Sequence, residues 1–106
     1  VIRDAFPVSP GHMLVVPRRH VASFFDLDPL EQADLLNLLI ATRRDLSSRR
    51  APDAFNLGLN DGAAAGQTID HCHWHVIPRY EGDREDPRGG VRWVLPEKAV
   101  YWARES

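Results

Sequence analysis

The stretch His71-Cys72-His73-Trp74-His75-Val76-Ile77 decides the fold that we expect for this chain. Histidine stands at every second position, which is the period of a β-strand, so the three imidazoles should leave one face of an extended segment. Cys72, Trp74 and Val76 should then leave the opposite face and pack into a core. Pro78 follows the run and suits the end of a strand. We therefore predict a strand with one chemically active face and one buried face.

A long helix is expected before this strand. Asp28 can cap its N-terminus, Pro29 suits the first helical position, and Glu31 falls where a capping box places its acidic residue. The helix should continue to about Ser48. Its predicted buried stripe is Leu30, Ala33, Leu36, Ile40 and Leu46. Further leucines at 35, 38 and 39 make the helix more apolar than one core face requires, so a second subunit could cover the remainder.

The other segments predict further strands and loops. Met13–Pro17 is a short apolar run and Phe55–Asn60 alternates in polarity, so both are predicted strands. The small-residue segment Asp61–Gln67 leads into the histidine strand, which indicates an antiparallel pair. The whole pattern favours an α+β domain with an antiparallel sheet and one long helix.

The C-terminal part is predicted to be a loop and a short aromatic tail. Residues 81–90 are charged and rich in Gly and Pro, which is typical of a loop. The segment from Val91 to Ser106 carries Trp93, Tyr101 and Trp102. We expect this tail to pack on the domain or on a partner, because so much aromatic surface is unfavourable in water.

Composition excludes several classes of protein. The 106 residues suit a single domain, 1–106, and the net charge of −2 gives no general attraction to nucleic acid or to a membrane surface. No apolar run approaches the roughly 20 residues of a membrane span. The single cysteine, Cys72, fits a cytoplasmic protein. Because the chain starts at Val1, we expect that N-terminal strands are missing or that it is part of a longer chain.

The histidine row suggests two kinds of chemistry. Side chains two apart on a strand are separated by about 6.6–7 Å, so adjacent histidines could share a metal ion but all three could not. There is no Cys-x-x-Cys pair, and we predict no metal and no cofactor. A neutral imidazole can instead attack phosphorus, and His73 has an imidazole on either side to orient it. Backbone N–H groups near Gly66, Gln67 and Thr68 could cradle a phosphate. The alternative is a solvated sheet face without chemistry.

Three segments of the sequence resemble the histidine triad (HIT) family. The run His71–Ile77 fits its signature of histidines alternating with apolar residues. Pro10–His20 resembles the family's N-terminal strand motif, and Asn60–Thr68 resembles the loop that leads into the triad. The similarity covers roughly residues 4 to 80.

The resemblance implies a nucleotidyl hydrolase or transferase that acts on the α-phosphate of a nucleoside derivative. His73 takes the place of the nucleophile, and His71, His75 and His12 match the histidines around the scissile phosphate. The remaining implied site residues contact phosphate or ribose; they are Gln67, Thr68, Gly66 and Asn60 at the phosphates and Asp4 at the ribose. Family members are usually homodimers, which suits the apolar helix.

Within the family, Gly66-Gln67-Thr68 and the ending His75–Arg79 look most like the dinucleoside polyphosphate hydrolase, or fragile-histidine-like, branch. That branch implies release of a nucleoside monophosphate such as AMP. Dinucleoside polyphosphate phosphorylases use related motifs and transfer to phosphate instead of water. The alternatives are a nucleoside phosphoramidase and a nucleotide-binding domain without turnover. A structural zinc at His20 and His71 is not expected without the cysteines that some relatives carry.

Overall fold

The chain folds as an antiparallel sheet covered on one face by a long helix, and the computed structural model describes residues 1–103. The strands are β1 (Ile2–Arg3), β2 (Met13–Val15), β3 (Ala54–Gly58) and β4 (Trp74–Arg79). They are ordered β1-β2-β4-β3, and every neighbouring pair is antiparallel. The predicted α+β class with an antiparallel sheet is confirmed. The predicted pairing of the strands on either side of the small-residue loop corresponds to β3 and β4.

Helix α1 spans Pro29–Arg50 and begins at the predicted cap. The Asp28 carboxylate accepts the N–H of Glu31 at 2.9 Å, and the Glu31 carboxylate accepts the N–H of Asp28 at 3.1 Å. These two reciprocal bonds satisfy donors that a helix N-terminus otherwise leaves without partners. The helix ends at Arg50, two residues later than expected, and the left-handed backbone of Ala51 terminates it.

Leu46 is the one member of the predicted buried stripe of α1 that is buried; Ala33 is exposed, as are the other three members. The buried residues are Leu35, Leu39, Thr42 and Leu46. Leu30, Leu36 and Ile40, which were assigned to the core, are 78%, 44% and 56% exposed. Both sets of residues have helical spacing, so the sequence periodicity does not show which set is buried. The contacts between the helix and the sheet determine the buried face. An apolar strip around Leu36 and Ile40 is therefore exposed on the isolated chain.

The core lies between α1 and the sheet. Val15 of β2 and Val76 of β4 are completely buried, and Cys72 is 2% exposed, as predicted for its side of the histidine run. Trp74 packs against this core with its ring edge-on to Phe24, at 5.5 Å between ring centroids. Its indole Nε1 is buried and has no hydrogen-bond partner among residues 1–103.

Strand β4 does not end at Pro78, as the sequence suggested. It continues to Arg79, with Pro78 paired opposite Phe55. Proline lacks a backbone N–H, but the ladder with β2 covers only residues 74–76. No hydrogen bond from residue 78 to β2 is therefore required. Its carbonyl accepts the Ser9 hydroxyl at 2.6 Å, which ties the segment before β2 to the same strand.

The C-terminal segment packs largely on itself. Beyond a loop it forms a 3-10 helix, Gly90–Val94, and a short helix α2, Pro96–Ala99. Three arginine side chains stack on three aromatic rings within this segment: Arg84 on Trp93, Arg88 on Trp102 and Arg92 on Tyr101, each 4.4–4.8 Å from the ring centroid. The last three residues of the predicted tail, 104–106, lie outside the described residues.

Among the helices of residues 1–103, none has the length and apolar character that crossing a membrane requires.

Candidate active site

His75 is the centre of the candidate site and lies on the sheet face opposite α1. Its neighbour Val76 is completely buried, and successive side chains of a strand point to opposite faces. In the sheet register His75 pairs with Leu14 of β2 and Gly58 of β3, and Leu14 pairs with Ile2 of β1. The row Ile2, Leu14, His75 and Gly58 therefore crosses the exposed face, with two apolar side chains beside the imidazole.

Two other predicted site residues, His12 and Asp4, meet at His75. His12, immediately before β2, places its Nε2 atom 2.8 Å from Nδ1 of His75. The Asp4 carboxylate follows β1 and lies 3.4 Å from His12 Nε2 and 3.9 Å from His75 Nδ1. His12 is 3% exposed, whereas His75 and Asp4 are partly exposed. The first two strands thus bring a buried imidazole and a carboxylate to the histidine of β4.

The hydrogen bonds assign the protons on these rings. The Val8 backbone N–H donates to His12 Nδ1 at 3.2 Å, so a neutral His12 carries its proton on Nε2. His12 Nε2–H then donates to His75 Nδ1, and His75 carries its own proton on Nε2. His75 is thereby prepared as a hydrogen-bond donor.

Burial keeps both rings neutral near neutral pH. It lowers the pKa of His12, and the nearby Asp4 carboxylate only partly offsets this effect. Burial also lowers the pKa of His75, and the adjacent His12 and His73 lower it further against the attraction of Asp4. The pair therefore stays uncharged over more of the pH range than free histidine.

His73 is held in the form that a nucleophile needs. Its Nδ1–H donates to the carbonyl of His71 at 2.9 Å, so the lone pair is on Nε2. Its half-buried ring lies beside that of His75, at 5.2 Å between centroids and an angle of 71°. The arrangement places a free ring nitrogen next to a histidine that donates hydrogen bonds.

The three histidines do not form one row on a strand, and that expectation was wrong. β4 begins only at Trp74, so His71 and His73 precede it. The Cys72 N–H instead donates to the Val21 carbonyl at 2.7 Å, which draws this segment toward the chain beyond β2. His71 Nε2–H donates to the Pro17 carbonyl at 2.7 Å, and the ring packs edge-on against His20, at 5.0 Å between centroids. No local pattern in the sequence predicts that contact.

The loop before the triad is organised by Gln67. Its side-chain oxygen accepts the Gly62 N–H at 2.9 Å, and its amide donates to the carbonyls of Ala22 at 2.8 Å and Ile69 at 3.0 Å. Gly66 closes the loop in a left-handed conformation. Asn60 and Thr68 are exposed, and their side chains make no hydrogen bond within residues 1–103. The amide donors of Gln67 are therefore used to hold the loop.

One group of side chains has the composition of a metal site. The ligand atoms of Asp4, His12 and His75 all lie within 4.8 Å of one another. Bond lengths of about 2.0–2.1 Å place two ligands of a tetrahedral zinc about 3.3 Å apart. The 2.8 Å contact between His12 and His75 is shorter and is already a hydrogen bond. The group is better arranged to position protons than to hold an ion.

The chain belongs to the HIT domain family. Residues 1–82 match the model of that family, and the triad, the loop and the strand before them all lie within the match.

Two curated relatives are dinucleoside polyphosphate enzymes by name. An AP-4-A phosphorylase of Mycobacterium tuberculosis strain H37Rv is 40% identical over 115 residues, which cover 98% of this chain and 58% of that protein. A bis(5'-nucleosyl)-tetraphosphatase (asymmetrical) of Schizosaccharomyces pombe is 40% identical over 77 residues, covering 73% of this chain and 42% of that protein. The chain thus spans about half the length of these relatives.

Solved structures agree with the family assignment. A hypothetical histidine triad nucleotide-binding protein of Sulfolobus tokodaii superposes with a TM-score of 0.73 at 35% identity, over 76% of this chain and 54% of that one. The C. elegans NitFhit protein gives a TM-score of 0.72 at 36% identity, over 90% of this chain and 22% of that one.

Proposed function

We propose that this protein is a nucleotidyl hydrolase or transferase that cleaves dinucleoside polyphosphates at the α-phosphate. His73 serves as the nucleophile, and the nucleotidyl group is released as a nucleoside monophosphate such as AMP when water is the acceptor. The proposal is supported by family membership and by the names of the two relatives.

The observation that carries the proposal is the bond from His73 Nδ1 to the His71 carbonyl at 2.9 Å. It fixes the tautomer and the ring orientation together, so that Nε2 keeps its lone pair. A nucleophilic histidine needs both features, because the imidazole that attacks must be unprotonated at the attacking atom.

The chemistry then follows in two steps. His73 Nε2 attacks the α-phosphorus, a P–N bond forms, and the bond from phosphorus to the bridging oxygen breaks. The departing polyphosphate leaves as a stable anion, and the Nε2–H of His75 can stabilise its developing charge by hydrogen bonding. An acceptor oxygen next attacks phosphorus, the P–N bond breaks, and its electron pair returns to Nε2. The acceptor's proton passes to a phosphate oxygen or to water.

The exposed sheet face suits a nucleoside beside the histidines. Ile2 and Leu14 lie in the same row as His75 and offer an apolar surface to a base. Asp4 follows β1, two residues beyond Ile2, and its carboxylate can accept hydrogen bonds from ribose hydroxyls while remaining close to His12.

The acceptor is either water or phosphate. Phosphorolysis is favoured by one observation: the similarity to the AP-4-A phosphorylase extends over 98% of this chain, whereas that to the tetraphosphatase covers 73%. Both reactions share the first step and the same nucleotidyl-histidine.

The first experiment is intact-protein mass spectrometry after rapid mixing with diadenosine tetraphosphate and quenching without acid. Wild type should show a transient adduct of AMP mass, and His73→Ala should show none. Addition of phosphate distinguishes the acceptors, because phosphorolysis produces ADP and hydrolysis produces AMP. An adduct that persists in His73→Ala, or turnover by that variant at the wild-type rate, would refute the assignment of the nucleophile.

A further inference from the structure

A cavity lies behind the histidine cluster, between the start of the sheet and the end of α1. Its volume is about 270 Å³, and Asp4 and His12 form part of its wall. Arg3 of β1 also lines it and is paired with Met13, whose side chain packs toward the core. Because paired residues share a sheet face, Arg3 lies on the helix side, whereas His75 lies on the other.

Three arginines from two elements surround this cavity. They are Arg3 from β1 and Arg49 and Arg50 from the last turn of α1. Arg49 forms an ion pair with Asp45 at 2.7 Å. Within residues 1–103, Arg3 and Arg50 make no ion pair or side-chain hydrogen bond, so their guanidinium donors are available. Basic residues often end a helix to complement its dipole, but this does not account for Arg3.

Arg50 is positioned by a glycine. Gly11 has a φ of +90°, and a Cβ built on it would lie 2.6 Å from Arg50 Cδ and 2.8 Å from Nε. The arginine stem therefore lies directly on the backbone of Gly11, at a position where any side chain would displace it. The Arg50 residue is exposed, so a ligand in the cavity can reach its guanidinium.

The charge of the cavity favours an anion. Arg49 is neutralised by Asp45, so Arg3 and Arg50 face one lining carboxylate, Asp4, and burial lowers the pKa of His12, which favours its neutral form. Guanidinium groups bind phosphate oxygens through paired, charge-assisted hydrogen bonds. The volume exceeds that of several water molecules at about 30 Å³ each, so a phosphate group fits with part of its hydration shell.

We propose that this cavity binds an oxyanion of the phosphate class, at a site separate from the triad histidines. The oxyanion is either free phosphate or the distal phosphates of a polyphosphate. The proposal does not rest on the proposed function, because binding at this site requires no turnover.

The test is calorimetric titration of inorganic phosphate, at constant ionic strength, into protein saturated with AMP so that the triad is occupied. Wild type should still bind phosphate. Arg3→Gln and Arg50→Gln should each weaken binding about tenfold, the effect of losing one charge-assisted interaction. Arg44→Gln, on the same helix but outside the cavity, is the matched control and should leave binding unchanged. Thermal unfolding without phosphate verifies that each variant is folded.

The proposal is overturned if folded Arg3→Gln and Arg50→Gln proteins bind phosphate as wild type does, or if AMP abolishes the binding. The source of the oxyanion is decided by kinetics on diadenosine tetraphosphate. A higher KM in Arg50→Gln assigns the cavity to distal phosphates of the substrate, and an unchanged KM assigns it to free phosphate. Failure of the proposed function would appear separately, as absence of turnover in wild type with phosphate binding retained.

Discussion

His12 Nε2 lies 2.8 Å from His75 Nδ1, and this hydrogen bond joins a buried histidine before β2 to the triad histidine inside β4. The bond is directional, because the Val8 N–H occupies the other nitrogen of His12. It determines which nitrogen of His75 presents a proton to a substrate. Loss of His12 should therefore affect the reaction more than the binding of the nucleotide.

We expect His12→Ala to lower kcat about 10- to 100-fold while KM changes less than threefold, because His75 loses the partner that orients it. His12→Gln should recover part of the loss, since its amide can donate to His75. Steady-state kinetics on diadenosine tetraphosphate provide the measurement. If KM rose and kcat did not change, His12 would contribute to binding rather than to the orientation of His75.

Stability should decrease on acidification. The folded protein holds the pKa of His12 and His75 below the ordinary value of 6.5, mainly through burial. At pH values between 6.5 and the lower pKa values of the folded protein, the unfolded chain binds more protons than the folded one, so the free energy of unfolding falls as pH falls. The stability that the two neutral histidines contribute is fully present above about pH 6.5. Urea denaturation from pH 8 to pH 5 measures it, and His12→Gln should show a smaller decrease. An equal decrease in both proteins would show that other groups cause it.

Gly11→Ala should destabilise the fold by about 2 kcal/mol or more, because alanine is strained at a φ of +90° and its Cβ would overlap the Arg50 side chain. Gly58→Ala is the matched control. A Cβ at Gly58 has no heavy atom within 4 Å, and its φ lies outside the left-handed region, so it should cost less than about 1 kcal/mol. Urea unfolding compares the two variants. Equal costs would mean that neither the backbone strain at Gly11 nor the contact with Arg50 affects stability.

The exposed strip on α1 should contribute to a homodimer, which we predict from its apolar character and from the family resemblance. Ile40 and Leu36 are 56% and 44% exposed on the isolated chain. Ile40→Glu should shift the protein toward monomer, because a buried carboxylate without a partner is unfavourable. Sedimentation equilibrium measures the change. Ala41→Glu, exposed on another side of the helix, should leave the oligomeric state unaltered. A wild-type protein that remains monomeric at high concentration would contradict the prediction.

The elements of the fold could be predicted because their signals are local. The capping box at Asp28 and Glu31 depends on neighbours in sequence, whereas the alternation at residues 71–77 predicted the strand correctly only from Trp74 onward. The buried face of α1 could not be chosen, because leucines occur on several sides of the helix. Pro78 was expected to end β4, but the ladder with β2 is too short to require an N–H there.

The composition of the candidate site could be predicted, but its geometry could not. The sequence singled out His12, His73, His75 and Asp4, and the fold brings Asp4, His12 and His75 within hydrogen-bonding or ion-pair distance. The separate position of His71 and its contact with His20 depend on the hydrogen bond from Cys72 to Val21. The use of Gln67 to hold its own loop likewise depends on a distant carbonyl, that of Ala22. Such contacts between segments far apart in sequence leave no periodic signal.

Trp74 stands between the two histidines proposed to act on the substrate, yet its ring packs toward the core against Phe24. Its indole Nε1 is buried and has no hydrogen-bond partner within residues 1–103, so its emission depends on how the ring packs against this core. The strand that carries His75 and directly follows His73 therefore contains its own spectroscopic reporter. In a chain with Trp93 and Trp102 replaced by phenylalanine, the remaining fluorescence would follow nucleotide binding through any displacement of β4, without a label attached to the site.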